Sequence, residues 1–193
     1  MTAESFKILA MSGSSREGSL TKKFLSFAVK KVRERGCFVN EIDLRSFDLP
    51  IYDGDLERTH GLPNGVRRLH NEFKTHQALL LGVTEYNGGV SPLLKNAIDW
   101  ASRPCDGDPN LAAIRGKLVA MVSCSAGMLG GSRAQAHLRQ SFQVMGCILI
   151  PETATLANAE TAFSNEEPGD PMVRGFVDAM ASRIAQVGEK LAQ

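Results

Sequence analysis

The stretch KILAMSGSSREGSLTKKFLSFAVKKVRERG, residues 7–36, decides the fold. It begins with a short apolar run, residues 7–11, which predicts a strand that leads into a loop. In residues 20–35 apolar side chains recur at helical spacing, with lysine and arginine largely off their face, which predicts an amphipathic helix. Gly36 ends that helix. A strand, a hydroxyl-rich loop and a helix in this order are typical of the first unit of a parallel α/β sheet.

The rest of the chain repeats this alternation. Strands are predicted at residues 37–44, 78–83 (ALLLGV), 117–123 (KLVAMVS) and 147–150, and helices from Pro63, from Ser91-Pro92 to Trp100, and at 132–145 and 171–191. The segment 45–61, rich in Pro, Gly and Asp, is predicted as a loop. Five such repeats predict a single α/β domain over residues 1–193, a three-layer sandwich whose five-stranded parallel sheet has order 2-1-3-4-5 with helices on both faces.

Composition argues against several classes of protein. The net charge is +1, with 43% hydrophobic and 22% charged residues and no block of like charge, so neither a nucleic-acid partner nor a membrane surface is expected. No apolar run approaches the roughly 20 residues of a membrane span, and the N-terminal residues lack a signal-peptide pattern. The four cysteines are widely spaced and the four histidines show no H-E-x-x-H spacing. We therefore expect a cytoplasmic protein with free thiols and without a metal site.

The first candidate binding element is the loop GSSREGSLT, residues 13–21. A sheet of this order binds its ligand outside the carboxyl ends of the strands, beside the first strand, and this loop lies there. It leads into a helix, whose N-terminal N–H groups and dipole favour an anion. Ser14, Ser19 and Thr21 add hydroxyls, and Arg16 adds a guanidinium.

Two motifs are missing from this loop. It has neither the lysine of a Walker A loop nor the G-x-G-x-x-G pattern. Their absence favours a terminal monophosphate over a triphosphate or an internal pyrophosphate. The alternative interpretation is a flexible turn followed by a capped helix, since serine and threonine are good caps.

A second loop, TEYNGGVSPLLKNAIDW at residues 84–100, is expected at the same edge of the sheet. The two glycines after Asn87 let the backbone approach a flat ligand closely, and Tyr86 can pack against one ring face. The alternative is a tight turn in which Ser91 caps the following helix. The apolar residues from Leu93 to Trp100 are interpreted as core or interface.

The third loop, SCSAGMLGGSRAQAHLRQ at residues 123–140, follows a predicted buried strand. Its small residues leave room for a ligand, and Gly130-Gly131 precede a helix whose amides point outward. The alternative is a glycine-rich connector. Cys124 within the loop is expected to be a small buried hydrophobe, and we assign it no chemistry.

At these three loops the sequence resembles the NADPH-dependent FMN reductase family, which includes bacterial quinone/chromate reductases and azoreductases. The family pattern is G-S-x-R-x-x-S followed by Asn or Thr, then P-E-Y-N with a following L-K-N-A-I-D-W, then a Ser/Gly loop ending in G-G-x-R. Here these segments are residues 13–21, 85–87 with 94–100, and 125–133. Together they extend over most of the chain, and L-K-N-A-I-D-W is the most specific of them.

The resemblance implies a flavodoxin-like fold, non-covalently bound FMN, and electron transfer from NADPH or NADH to a small-molecule acceptor. That acceptor would be a flavin, a quinone, an azo compound or a metal oxyanion. No catalytic side chain is implied, because the flavin carries the chemistry. The family is usually dimeric or tetrameric, so a homodimer or homotetramer is expected, with Trp100, Arg103 and the helix after Ser91 at the interface.

The resemblance also implies a set of cofactor-binding residues. The FMN phosphate would be held by Ser14, Arg16, Ser19, Leu20 and Thr21. The ring system would be contacted by Glu85, Tyr86, Asn87 and Gly88. The ring or the ribityl chain would be contacted by Ser125 and Gly127.

The sequence departs from the family pattern at two places. Thr84 replaces the usual proline, and Ser91-Pro92 replaces the usual Pro-Gly, so the shape of the second loop is expected to differ. Two alternatives to an enzyme are an electron carrier of flavodoxin type, disfavoured by the near-neutral charge, and an FMN-binding sensor module. A hydrolase on the same fold is disfavoured because G-x-S-x-G is missing.

Overall fold

The computed structural model describes residues 6–191. Its strands, in chain order, are β1 (Lys7–Ser12), β2 (Phe38–Ile42), β3 (Ala78–Val83), β4 (Glu85–Tyr86), β5 (Gly89–Val90), β6 (Leu118–Cys124), β7 (Ile148–Leu156), β8 (Phe163–Ser164) and β9 (Glu167–Pro168). Its helices are α1 (Leu20–Arg33), α2 (Gly54–His60), α3 (Asn64–Lys74), α4 (Pro92–Ala101), α5 (Ser132–Val144), α6 (Ala159–Ala162) and α7 (Pro171–Leu191), with one 3-10 turn at Leu44–Phe47.

Five strands form one parallel sheet of order β2-β1-β3-β6-β7, which confirms the predicted order 2-1-3-4-5. Strand β1 pairs with β2 on one side and with β3 on the other, so the order reverses between β1 and β3. Ser12 at the end of β1 lies beside Gly82, and Val83 at the end of β3 lies beside Ser123. The carboxyl ends of β1, β3 and β6 therefore meet at one edge.

Two apolar cores flank the sheet because successive side chains of a strand point to opposite faces. On one face Ile8 and Ala10 of β1 pack with α1 and α7, and on the other Leu9 and Met11 pack with α3, α4 and α5. All four side chains are fully buried. Burial of a large apolar side chain contributes about 1.5–3 kcal/mol, which makes these two cores the main source of stability.

The segment 45–61, predicted as a loop, is only partly one. It includes the end of the 3-10 turn and the whole of α2, whose N-cap Asp53 accepts a hydrogen bond from the N–H of Asp55 at 2.8 Å. None of residues 54–60 is buried. A helix that buries no face has no apolar periodicity, so the pattern that predicts helices elsewhere is missing here.

The predicted strand 147–150 was too short. Strand β7 continues past the exposed Pro151 to Leu156. β7 is an edge strand of the sheet, and proline is tolerated in edge strands and at irregularities of the pairing. The register between β6 and β7 shifts between Val119 and Met121, close to this point. Within residues 6–191, no helix is long and apolar enough to cross a membrane.

Candidate functional site

Three loops leave the same edge of the sheet. They are named here loop 1 (residues 13–19, after β1), loop 2 (84–91, after β3) and loop 3 (125–131, after β6). The strand order reverses between β1 and β3, and a parallel sheet opens a crevice at such a point. The loops that sequence analysis selected thus begin side by side around that crevice.

Loop 1 ends as the N-terminus of α1. Ser19 is the N-cap of this helix, and its hydroxyl accepts a hydrogen bond from the N–H of Lys22 at 3.2 Å. The backbone N–H groups of residues 18–21 donate no hydrogen bond to any of residues 6–191. Ser14 and Thr21 are buried. A helix terminus with free N–H groups and nearby hydroxyls suits a phosphate.

The cations near loop 1 differ in their partners. Asp43, just after β2, lies 3.1 Å from Lys22 Nζ and 2.8 Å from Arg45. Its hydrogen bonds with the Arg45 side chain, and also those with Lys22, hold the pKa of the Asp43 carboxyl well below its usual range. Arg16 is exposed and makes no ion pair with any residue in the described part of the chain. Arg16 is therefore the guanidinium of this loop that is available to a ligand.

Loop 2 is a β-hairpin. Asn87 and Gly88 connect β4 to β5 as a two-residue turn, and both have positive φ angles, 52° and 79°. Two-residue hairpin turns of this kind favour Asn-Gly. That dipeptide is in the printed sequence, so the hairpin could have been predicted from it. Tyr86, beside the turn, leaves 48% of its surface exposed.

A buried hydrogen bond connects loop 2 to loop 1. Ser91 occupies the N-cap position of α4, yet its hydroxyl donates to the carbonyl oxygen of Gly13 at 2.8 Å. The suggestion that the Ser91 side chain caps this helix is wrong. Pro92 follows at N1 and has no N–H to satisfy, which lowers the need for a cap. A Cβ atom at Gly13 would lie 2.5 Å from Ser91 Oγ, so this approach requires glycine.

Loop 2 is also connected to loop 3. Glu85 Oε2 accepts a hydrogen bond from the N–H of Ala134 in the first turn of α5, at 3.0 Å. Its Oε1 lies 3.9 Å from Nη1 of Arg133, and only 12% of the Glu85 side chain is exposed. The carboxylate is thus directed at a helix N-terminus. The neighbouring Tyr86 and Asn87 are exposed on the hairpin, and the resemblance did not indicate this difference.

Loop 3 is held by the end of β7. The N–H of Ser125 donates to Leu156 O, and the N–H of Asn158 donates to Gly127 O, each at 3.2 Å. The Ser125 hydroxyl donates to Gly127 O at 3.2 Å, within the loop. These contacts fix the backbone of residues 125–127 at the edge of the crevice.

A buried polar network that sequence reasoning missed lies under loop 3. Gln135, 4% exposed, donates through Nε2 to Ser123 Oγ at 2.7 Å and to Ala154 O at 3.1 Å. Ser123 Oγ in turn donates to Gly130 O at 2.7 Å. The network joins β6, β7, α5 and loop 3. A glutamine in a helix normally indicates an exposed position, so the sequence offered no signal.

The structure places three other residues that the sequence analysis named: Cys124, Trp100 and Arg103. Cys124 is buried, its Sγ lies 3.8 Å from Thr21 Oγ1, and burial raises the pKa of its thiol to about 11. It is therefore a thiol at neutral pH, as expected of a residue without a nucleophilic role. Trp100, expected at an interface, is fully buried and donates from Nε1 to Pro50 O at 2.7 Å. Arg103 pairs with Glu57 of α2 at 2.8 Å.

Comparison with known proteins identifies the family. A family model described as NADPH-dependent FMN reductase matches residues 6–161. The chain belongs to this family. It is an FMN-dependent NAD(P)H oxidoreductase, and the match includes loops 1, 2 and 3.

Several proteins resemble this FMN reductase along most of its length. The quinone reductase of Escherichia coli K12 is 27% identical over 187 residues, which cover 97% of this chain and 96% of that protein. An NAD(P)H-dependent FMN reductase of Pseudomonas aeruginosa is 37% identical over 139 residues, covering 72% and 70%. The solved structure of FerB, a flavoenzyme NAD(P)H:(acceptor) oxidoreductase from Paracoccus denitrificans, has a TM-score of 0.78 at 28% identity and covers 96% of this chain and 98% of its own.

Proposed function

We propose that residues 1–193 form one domain that binds FMN at loops 1, 2 and 3 and reduces a quinone with electrons from NADPH or NADH. The observation that carries this proposal is the N-terminus of α1. Four backbone N–H groups without a partner in the described chain, three buried hydroxyls and one unpaired guanidinium converge there. This donor set fits a phosphate monoester such as that of FMN.

In this proposal the phosphate is held by loop 1 and the start of α1. The buried hydroxyls of Ser14, Ser19 and Thr21 and the backbone N–H of Leu20 donate hydrogen bonds, and Arg16 adds a positive charge. Asp43 engages the neighbouring cations, Lys22 and Arg45, and this leaves Arg16 as the ligand's charged partner.

The ring system is placed against the hairpin of loop 2 and against loop 3. Tyr86 offers an exposed ring face, and Asn87 and Gly88 offer the polar groups of a turn. Ser125 and Gly127 lie on the other loop, where hydrogen bonds to the residues after β7 hold their backbone. FMN held by these loops would supply the hydride and electron-transfer chemistry between the nicotinamide and the acceptor. The protein binds and orients the reactants, and we assign no side chain a proton-transfer role.

The acceptor that we propose is a quinone, ahead of free flavin, azo compounds and metal oxyanions. The support is the similarity to the Escherichia coli quinone reductase, together with that to the acceptor oxidoreductase FerB. The exposed Tyr86 and the exposed Met128 of loop 3 add an aromatic and an apolar surface at the same edge, which suit a flat, uncharged molecule.

We also propose that the protein is a homodimer formed through the outer face of α4, with a homotetramer as the alternative. Two grooves of about 390 Å³ each meet on this face and share Lys95 and Asp99, which pair at 2.7 Å. Ile51 borders one groove and Val144 the other, and they are 87% and 85% exposed. Across a two-fold axis, Lys95 of each copy can pair with Asp99 of the other.

Light scattering tests this proposal. Ile51→Asp and Val144→Asp place charges in the apolar part of the face and are expected to give monomers. A wild-type mass of one chain contradicts the proposal, and a mass of four chains supports the tetramer.

We also propose that the protein is cytoplasmic and that it has no nucleic-acid partner. Support comes from the four free cysteines and the near-neutral net charge. Retention of the purified protein on immobilised nucleic acid at physiological salt would contradict the second proposal.

The experiment that tests the function begins with a visible absorbance spectrum of the protein reconstituted with FMN. Anaerobic addition of NADPH is expected to bleach the bound-flavin band, and addition of a quinone to restore it. A band that NADPH leaves unchanged favours a carrier or a sensor instead.

Arg16→Ala tests the phosphate site in the same preparation. The variant is expected to weaken FMN binding by about 10–100-fold, because a hydrogen bond to a charged group contributes about 1.5–3 kcal/mol. Arg58→Ala is the matched control, since Arg58 lies on α2 and its side chain is 77% exposed. Equal FMN affinity in the two variants would remove Arg16 from the phosphate site.

A further inference from the structure

Glu85 lies on β4, but its carboxylate contacts a different element of the fold. Oε2 accepts the N–H of Ala134 at 3.0 Å, and Oε1 lies 3.9 Å from the guanidinium of Arg133. With 12% of its side chain exposed, Glu85 is largely removed from solvent. Its charge is balanced by the positive end of the α5 dipole and by Arg133.

The start of α5 needs this contact because its own sequence provides no cap. The N-cap is Gly131, which has no side chain, and the first turn of the helix contains no acidic residue. The N–H groups of a first helical turn have no intrahelical partner, so a carboxylate from elsewhere satisfies one of them. Gly131 cannot be replaced by a capping residue here, since its φ is +84° and a Cβ would lie 2.9 Å from Ser123 Cβ.

The hairpin that carries Glu85 needs the contact as well. Strands β4 and β5 have two residues each, and a hairpin of that size is not stable alone. Its base is held by Ser91, whose hydroxyl and N–H bond to Gly13 O and Thr84 O. In the pair next to that base, opposite Val90, Glu85 provides a side-chain connection to α5.

We propose that Glu85 is a positioning residue that holds the ring-binding hairpin against α5, rather than a side chain that contacts the flavin with its carboxylate. The proposal rests on the proposed function, because the ligand that benefits is FMN. With Ser91 it completes a series of side-chain contacts from loop 1 through loop 2 to α5, behind loop 3. The hairpin residues Tyr86, Asn87 and Gly88 are thereby held in place before the cofactor binds.

Two variants of Glu85 separate capping from direct contact. Glu85→Gln keeps an amide oxygen that accepts the Ala134 N–H, whereas Glu85→Ala removes the acceptor. Glu189→Ala is the matched control, because Glu189 is exposed near the C-terminal end of α7, remote from the three loops. The first readout is the hydrogen exchange of the Ala134 amide in the apoprotein. The second is the FMN dissociation constant together with the spectrum of the bound flavin.

In Glu85→Ala we expect the Ala134 amide to exchange at least about fivefold faster than in the wild type. A factor of this size corresponds to the loss of one helix-capping hydrogen bond. We expect FMN affinity to fall by a similar factor or more, with a shifted flavin band. Glu85→Gln is expected to restore both readouts to within about twofold of the wild type. Glu189→Ala is expected to match the wild type throughout.

Other results overturn the proposal. Unchanged Ala134 exchange in the apoprotein of Glu85→Ala, with FMN binding weakened in both variants, assigns Glu85 a direct contact with the flavin. Faster exchange with unchanged FMN binding and spectrum leaves Glu85 a purely structural role. A wild-type protein that binds no FMN refutes the proposed function instead, while the exchange of Ala134 still reports on the contact itself.

Discussion

Replacement of Gly13 by alanine tests how closely loop 1 and loop 2 depend on each other. The new Cβ would lie 2.5 Å from Ser91 Oγ, 3.0 Å from Leu94 Cβ and 3.3 Å from Leu94 Cδ2. The first distance is far below a van der Waals contact, and Leu94 is fully buried, so it has little room to move. The Ser91 hydroxyl must therefore leave its hydrogen bond to Gly13 O.

Two contributions make up the expected loss of stability. Overpacking in a close-packed region costs about 1–3 kcal/mol, and loss of a buried hydrogen bond costs about 1 kcal/mol more. The free energy of unfolding should thus fall by about 2–4 kcal/mol, measured by urea denaturation of the apoprotein. Gly18→Ala is the matched control in the same loop, because a Cβ at Gly18 would meet nothing within 4 Å. It should change stability by no more than about 0.5 kcal/mol.

A double-mutant cycle with Ser91→Ala identifies the cause. Ser91→Ala alone removes the hydrogen bond and should cost about 1 kcal/mol. Added to Gly13→Ala, it removes the atom that the new Cβ meets first, so the double variant should be more stable than the sum of the single effects predicts, by about 1 kcal/mol or more. Additive effects, or a Gly13→Ala variant as stable as Gly18→Ala, would refute this account of the loop contact.

Three further predictions concern buried groups. Burial lowers the pKa of Lys117 to about 8, so the folded protein disfavours the charged form of this side chain. The free energy of unfolding, measured by urea titration relative to that of Lys117→Met, should therefore rise by about 2 kcal/mol between about pH 7 and pH 9.5. A difference between the two proteins that stays constant over this range would contradict the prediction. The Thr84 hydroxyl is buried and has no hydrogen-bond partner among residues 6–191. Thr84→Val should therefore stabilise the apoprotein by about 1 kcal/mol, whereas a loss of stability would show that the hydroxyl has a partner. Gly131→Ala combines a positive φ with a Cβ 2.9 Å from Ser123 Cβ, so its melting temperature should fall well below that of Gly18→Ala.

The sheet could be predicted from the sequence because each central strand is covered on both faces. The run ALLLGV has the bounds of β3, residues 78–83, and the run at 117–123 differs from β6 by one residue at each end. Continuous apolar runs of this length between helical patterns leave few other interpretations. Prediction was weaker at the edge, where β7 contains a proline and only the first three of its nine residues, 148–150, were predicted as strand.

The positions of the loops could be predicted, but not the contacts between them. The strand order alone brings loops 1, 2 and 3 to one edge. The hydrogen bond from Ser91 to Gly13 spans 78 residues of sequence, and that from Ala134 to Glu85 spans 49. No local pattern specifies which side chain meets which carbonyl at such separations. The motif E-Y-N therefore marks an important segment while leaving open that Glu85 faces α5.

The two residues that replace a proline of the family pattern, Ser91 and Thr84, have different effects in the structure. Ser91 stands where the family usually has proline, and its hydroxyl provides the hydrogen bond to Gly13 that connects loop 1 to loop 2. A proline at this position has no hydroxyl to offer, so this chain uses a contact that the usual pattern cannot make. Thr84 also replaces a proline, but its hydroxyl has no hydrogen-bond partner among the described residues. The first replacement therefore strengthens the support of the hairpin, whereas the second leaves a buried polar group beside it, and Thr84 is the better position at which to restore proline.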